Sequence, residues 1–148
     1  MSEHTATLTW NRNTDTEFTY NDYSRDHDWT FENNATLRAS AAKEFLGNPD
    51  CVDPEAAFVA ALASCHMLTF LAIACKKRFT VESYTDHAVG HLEPGPEGRL
   101  AITRITLRPK IEFSGEKQPT PEQLSQLHDV AHHECFLANS VTTKITVN

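Results

Sequence analysis

The sequence predicts an α+β fold with antiparallel sheets and one long central helix. Alternating apolar residues dominate the first forty positions, a twenty-residue apolar run follows over Ala56–Cys75, and strand, helix and strand patterns complete the chain. With 148 residues and a 40% apolar composition, the chain suits a single domain, residues 1–148.

The first forty residues predict short strands because apolar side chains recur there with a period of two. The alternating segments are Ala6-Leu8-Trp10, Phe18-Tyr20 and Trp29-Phe31. The polar stretch 21–27 separates the last two and predicts a loop or wide turn, where functional residues are often found.

The apolar run predicts a long helix that begins at Asp53. Asp53 suits the N-cap, Pro54 suits the first helical position, and the cations of Lys76–Arg78 suit the helix C-terminus. The run is long enough to cross a bilayer, but it is rich in alanine and flanked by strand-like sequence. We therefore expect a buried core helix and no membrane span.

Two further strands are expected near 80–92 and 100–113. The turn-rich segment 93–98 between them predicts a hairpin. In the second strand the apolar residues change from even to odd positions near Thr103-Arg104, which indicates a bulge. Pro109 cannot donate a backbone hydrogen bond and indicates that part of this strand lies at a free sheet edge.

A second helix and a final strand complete the chain. Thr120, Pro121 and Gln123 form a capping-box pattern that predicts a helix reaching Cys135. The alternation over 141–147 then predicts the last strand.

Charge and cysteine content limit the functional classes. The net charge of −7 disfavours nucleic-acid binding, because phosphate backbones repel an acidic protein. The polar start, Met1–Thr5, does not resemble a secretory signal, so we expect a reducing cytoplasm. There, four cysteines are expected to be free, catalytic or metal-bound.

Cys65 and Cys135 lie on the predicted inward faces of the two helices. Such a pair suits peroxide reduction, in which one thiolate becomes a sulfenic acid and a second thiol captures it. The alternative is that both are small core residues. A reactive thiolate needs a nearby cation, and Arg25 in the polar loop is the candidate; otherwise it is a solvated loop residue.

Two other functions stay open from the residues alone. His128, His132 and Cys135 follow helical spacing and suit zinc or copper, with His66 or Cys65 as a fourth ligand. Histidines at this spacing are also common on helix surfaces, and His66 suits a packed, hydrogen-bonded core position. The third possibility is a non-catalytic dimer that binds a small ligand beside inert cysteines.

Three segments together resemble the OsmC/Ohr family. They are Asp53-Pro54-Glu55 with Ala61-Leu62-Ala63-Ser64-Cys65-His66, the motif His133-Glu134-Cys135-Phe136-Leu137-Ala138-Asn139-Ser140, and the loop Tyr23-Ser24-Arg25-Asp26-His27. The resemblance covers nearly the whole chain. It implies an OsmC-like fold, an intertwined homodimer with the long helices at its centre, and reduction of organic hydroperoxides by thiols without a cofactor; some members also reduce hydrogen peroxide.

The resemblance also implies residue roles. Cys65 falls on the peroxidatic cysteine, Cys135 on the resolving one, and Glu55 on the glutamate that orients a catalytic arginine. Arg25 is our choice for that arginine and Arg38 is the alternative. The implied partners are an organic hydroperoxide and an external dithiol reductant, with a lipoyl-type dithiol expected from the family.

Helix geometry constrains these roles. Glu55 and Cys65 are ten positions apart, about 15 Å along one straight helix. Either Arg25 bridges them, or Glu55 serves the partner's Cys65 across a two-fold axis, which we favour.

The second cysteine motif departs from the familiar pattern, because Phe136 replaces a proline. This change is expected to affect how readily Cys135 reaches Cys65. For the substrate pocket, the candidate residues are Phe58, Leu62, Met67 and Phe136, although each also suits an ordinary core.

Overall fold

The computed structural model describes all 148 residues and contains two α-helices, two short 3-10 helices (Lys43–Phe45 and Ala138–Ser140) and eight strands. The chain forms two compact units, residues 1–57 and 58–148. The strands in chain order are β1 (Ala6–Thr9), β2 (His27–Phe31), β3 (Thr36–Ala39), β4 (Thr80–Asp86), β5 (Val89–Pro94), β6 (Leu100–Leu107), β7 (Pro109–Ser114) and β8 (Lys144–Val147). The helices are α1 (Pro54–Lys76) and α2 (Pro121–Glu134).

The first unit is built on an antiparallel sheet of order β1-β2-β3. Trp29 in the central strand lies opposite Leu8 on one side and Leu37 on the other. These apolar cross-strand neighbours stabilise the sheet, as the predicted alternation requires.

The predicted strand at Phe18-Tyr20 is wrong, because that segment folds as a turn. The amide of Asp22 donates to the carbonyl of Thr19 at 3.1 Å, and the Thr19 hydroxyl donates to the Asp22 carboxylate. Polar side chains that bond to nearby groups favour turns over strands, and here they outweigh a two-residue alternation.

Helix α1 begins and ends as its sequence predicts. The Asp53 carboxylate accepts from the amide of Ala56 at 2.8 Å, which is an N-cap bond. After Lys76, Arg78 adopts a left-handed conformation with φ of 64°, which turns the chain into β4.

The second unit contains a bent hairpin instead of two continuous strands. Each predicted strand breaks, at 87–88 and at Arg108, so that β4 pairs with β7 and β5 pairs with β6. Opposite the His91–Leu92 step, the register moves from Arg104 to Ile102, so Thr103 is the extra residue of the predicted bulge. Strand β8 pairs in parallel with β6, so the sheet of β5 and β6 has three strands in the order β5-β6-β8, while β4 and β7 form a separate two-stranded sheet.

Helix α2 has the predicted capping box. The Thr120 hydroxyl accepts from the Gln123 amide at 3.2 Å, and the Gln123 side chain accepts from the Thr120 amide at 2.9 Å. The box fixes the start of the helix whose other end carries Cys135.

The core of the second unit has two parts, one along each half of α1. Near its middle, Leu62 packs with Ile105 and Leu107 of β6. Towards its end, Phe70 and Ala74 pack with α2 and with apolar residues of β4 and β7. The helix is therefore the shared element of both parts.

Helix α1 is less buried than its apolar sequence leads us to expect. Its buried residues form one stripe with a spacing of four: Leu62, His66, Phe70 and Ala74. Leu68 on another face is 60% exposed. By length and composition, α1 is the one helix able to cross a membrane, a test that core helices of soluble proteins also pass.

Candidate active site

Cys65 lies in the middle of α1, one position before the buried stripe residue His66. Its side chain is half-buried and its thiol is free. The Thr69 hydroxyl donates to the Cys65 carbonyl at 2.8 Å, one turn along the helix. Cys65 therefore sits on a rigid element, at the border between the core and the exposed face.

Cys135 caps the C-terminus of α2 and is 1% exposed. Its backbone leaves the helical conformation, and its amide donates to the His132 carbonyl at a long 3.4 Å. The Cys135 sulfur accepts from the amide of Ala138 at 3.4 Å. The residue thus joins a regular helix to a short turn, where small backbone movements are easiest.

The structure brings Cys65 and Cys135 together. Burial raises the pKa of the Cys135 thiol, and its hydrogen bond to the Cys65 sulfur raises that pKa further. The Ala138 amide partly offsets both effects. Cys135 therefore keeps its proton more strongly than an ordinary cysteine.

A pair of buried histidines connects α1, which carries Cys65, to α2, which Cys135 caps. His66 Nε2 is 3.1 Å from His128 Nδ1, and the two rings stack with an angle of 9° between their planes. Burial, and then His128 and His132, lower the pKa of His66 to about 4. Burial also lowers the pKa of His128. Both rings are therefore neutral near pH 7.

The geometry does not support the metal alternative. No group of three or more His, Cys, Asp or Glu side chains is arranged to hold a metal ion. His128 Nδ1 bonds to His66, and His132 is exposed. The three helix residues do not converge as the spacing suggested.

Arg25 is held in the loop of the first unit. Its guanidinium lies 3.8 Å from the Tyr23 ring centre and 5.1 Å from that of Tyr20. It also donates to the carbonyl of Tyr23 at 2.6 Å and to the carbonyl of Tyr20. No carboxylate of this unit pairs with it.

Arg38 and Glu55, also in the first unit, have different surroundings. Arg38 is exposed and forms an ion pair with Asp28 at 2.9 Å, which raises the pKa of the guanidinium. Glu55 lies in the first turn of α1, and its buried Oε2 has no hydrogen-bond partner. Arg25 and Glu55 form no ion pair with each other within this unit.

The predicted pocket residues occupy different positions. Leu62 is 1% exposed and Phe58 packs beside it in the core. Met67 is half-buried, whereas Phe136, next to Cys135, is 81% exposed.

Tyr84 and Asp86 on β4 have buried polar atoms without a hydrogen-bond partner, and the sequence did not predict them as part of this region. Burial, and then Asp86, raise the pKa of Tyr84. The Asp86 charge also acts on His128 in the direction that raises the pKa of its imidazole. The available signal was weak, because a tyrosine and an aspartate two positions apart are ordinary on a half-buried strand.

Comparisons with known proteins identify the family. The family model described as OsmC-like protein matches residues 47–148. The solved structure of an OsmC-like protein of unknown function from Vibrio cholerae is 49% identical, covers 100% of this chain and 99% of its own, and superposes with a TM-score of 0.96. No curated protein matches.

Two more distant structures share the fold. An organic hydroperoxide resistance protein from Elizabethkingia anophelis is 19% identical, with coverage of 100% and 96% and a TM-score of 0.73. An organic hydroperoxide resistance protein OsmC from Legionella pneumophila is 17% identical, with coverage of 100% and 98% and a TM-score of 0.64. With the family match, these similarities confirm the resemblance seen in the sequence: the chain belongs to the OsmC-like family.

Proposed function

We propose that this protein is a thiol peroxidase that reduces organic hydroperoxides. The observation that carries the proposal is the proximity of the Cys65 and Cys135 thiols, which are near enough for Cys65 to raise the pKa of the Cys135 thiol. Two structures that share this fold are named organic hydroperoxide resistance proteins, which supports the same chemistry.

The first step oxidises Cys65. Its thiolate attacks one peroxide oxygen, a sulfur–oxygen bond forms and the oxygen–oxygen bond breaks. The alkoxide leaves and takes a proton to become an alcohol, while Cys65 becomes a sulfenic acid. Cys135 is poorly suited to this step, because its raised pKa keeps it in the unreactive thiol form.

The second step joins the two sulfurs. The Cys135 sulfur attacks the sulfenic sulfur, a disulfide forms, and the hydroxyl leaves as water with the Cys135 proton. An external dithiol then reduces the bridge by thiol–disulfide exchange and is itself oxidised. We propose a lipoyl-type dithiol on family grounds.

We assign the stabilising cation to Arg25 in preference to Arg38. Asp28 already neutralises Arg38, whereas Arg25 has no carboxylate partner in its unit and keeps its charge available for a thiolate and a peroxide. The tyrosine rings restrict Arg25 to few orientations. Glu55 is the proposed partner that orients it, because its buried Oε2 lacks a hydrogen bond.

We further propose that the active form is a homodimer. One chain buries a single stripe of α1 and leaves apolar residues such as Leu68 exposed. A second copy that packs its own α1 there would cover this surface and bring Glu55 near the partner's Cys65, reciprocally. A cytoplasmic location fits the reduced thiols that this cycle requires.

The substrate preference is assigned to apolar contacts. Phe58, Leu62, Met67 and Phe136 are the proposed pocket residues, and Phe136 is the most exposed of them. An apolar side chain beside Cys135 favours an organic peroxide over hydrogen peroxide, because it gains free energy by covering apolar surface.

The test compares serine variants of two cysteines on the same helix. Cys65→Ser is expected to lower kcat/KM for cumene hydroperoxide by at least about a thousandfold, because the thiolate proposed to attack the peroxide is lost. The matched control is Cys75→Ser near the exposed end of α1, which should keep wild-type activity. A Cys65→Ser variant that still reduces the peroxide would refute the assignment.

A further inference from the structure

The His66–His128 contact connects the two helices that carry the proposed reactive cysteines. His66 directly follows Cys65 on α1, and His128 lies seven residues before Cys135 on α2, about two helical turns. The nitrogens are 3.1 Å apart. Apart from the thiol pair, it is the one side-chain hydrogen bond between α1 and α2.

The surroundings of this hydrogen bond are tightly packed. The Phe70 ring lies 4.6 Å from the His128 ring and 5.6 Å from the Tyr84 ring. A buried polar group without a hydrogen-bond partner destabilises the folded protein. Breaking the bond between the two imidazoles would therefore cost free energy. Moving α2 by one residue shifts it by about 1.5 Å and rotates its side chains by about 100°, which would break the bond.

The cluster around the pair contains more polar atoms than packing requires. His66 Nδ1, Tyr84 Oη and Asp86 Oδ2 are three of the four buried side-chain polar atoms without a hydrogen-bond partner in this chain. Apolar side chains of similar volume would avoid this cost. Retaining polar groups here therefore points to a role other than stability.

The C-terminus of α2 is not held in place by regular helical hydrogen bonds. Cys135 is already outside the regular helix, and its amide hydrogen bond is long at 3.4 Å. Its position relative to Cys65 therefore depends on how firmly the preceding turns of α2 are held against α1.

We propose that His66 and His128 form a positioning pair that holds α2 in the register bringing Cys135 onto the Cys65 sulfur, and so sets the rate of disulfide closure. The biological setting rests on the proposed peroxidase function. The closure step itself can be measured without a peroxide.

The experiment uses 2,2′-dipyridyl disulfide and a Cys51→Ser/Cys75→Ser background, which leaves only the two thiols of the site. The reagent converts one thiol to a mixed disulfide and releases one thiopyridone. The other thiol then attacks that sulfur, the Cys65–Cys135 bond forms, and a second thiopyridone leaves with the proton. The first phase depends on reagent concentration and the second does not, so the two rates are separable.

Two double variants distinguish the hydrogen bond from packing. His66→Leu/His128→Leu removes the bond, and we expect closure to slow about tenfold, the effect of losing one buried hydrogen bond. His66→Gln/His128→Asn keeps an amide N–H donor and an amide oxygen acceptor near the same positions and should close within about twofold of the background protein. His132→Gln, at the exposed position on α2, should leave closure unchanged.

Clear outcomes overturn the proposal. Closure in the leucine variant as fast as in the background protein would show that packing alone positions Cys135. Equal slowing in both double variants would show that the bond does not matter, and absence of closure in the background protein would show that Cys135 is not positioned for it. If the leucine pair fails to fold, His128→Leu against His128→Asn gives the same comparison at the more exposed residue of the pair.

This result is independent of the peroxidase proposal. A protein that closes rapidly with dipyridyl disulfide and ignores cumene hydroperoxide would refute the peroxidase and leave the positioning pair in place.

Discussion

At the scale of single residues, the site contains two thiols with different surroundings. Cys135 is buried and the pKa of its thiol is raised, whereas Cys65 is half-buried. Such a difference is expected between a peroxidatic cysteine, which attacks the peroxide, and a resolving cysteine, which reacts afterwards. The sequence predicted on which face of its helix each cysteine lies. It could not predict that the two cysteines are close together, because that depends on how α1 and α2 pack.

The histidine pair predicts a loss of stability in acid. Because burial lowers the pKa of His66 to about 4, the unfolded chain binds this proton more tightly between pH 6.5 and 4. Stability is thus full above about pH 6.5 and falls towards pH 4. The expected loss between pH 7.5 and pH 5 is about 2 kcal/mol from this residue.

Urea unfolding at several pH values checks this prediction. Because the rest of the chain also contributes to the pH dependence, the measured quantity is the difference between wild type and His66→Gln/His128→Asn. The variant should lose less stability in acid. Parallel curves for the two proteins would show that the imidazoles are not protonated on unfolding as described.

At the scale of elements, α1 and the bent hairpin approach each other closely at one glycine. A Cβ added to Gly90 on β5 would lie 2.4 Å from Val59 Cγ2 on α1. The strand reaches the helix at this point only because residue 90 has no side chain.

Gly90→Ala should therefore destabilise the protein by about 1–3 kcal/mol, the usual effect of overpacking a core. Urea denaturation measures the change. Gly95→Ala, where the carbonyl oxygen of Arg99 would be 3.4 Å from the new Cβ, is the control and should be nearly neutral. Adding Val59→Ala should restore part of the loss, and no restoration would place the strain elsewhere.

Local signals predicted the helix ends and the bulge well. Asp53, Thr120 and Gln123 act through bonds within a few residues, so sequence contains the necessary information. The breaks in the hairpin were missed because they depend on pairing with distant strands: β8 extends only the sheet of β5 and β6. Tertiary pairing of this kind leaves no local pattern.

At the scale of the whole molecule, the exposed apolar surface of α1 predicts association. Leu68 is 60% exposed on a helix that is apolar on all sides. We expect wild type to have about twice the 16.6 kDa mass of one chain in solution.

Leu68→Glu should shift the protein towards monomer, because burying a carboxylate in an apolar interface is costly. Light scattering after size exclusion measures the mass. Leu100→Glu changes an equally exposed leucine on the hairpin, at 59%, and should remain dimeric. A monomeric wild type would exclude the homodimer and, with it, the role of Glu55 across the interface.

Cys65 and Cys135 are proposed to form a redox pair that a peroxide oxidises. The most direct measurement adds one equivalent of cumene hydroperoxide to fully reduced protein and locates any disulfide by peptide mass mapping. We predict a rapid bridge between Cys65 and Cys135 within one chain and one equivalent of alcohol. Thiols that remain reduced, or a bridge that involves Cys51 or Cys75 instead, would contradict the account.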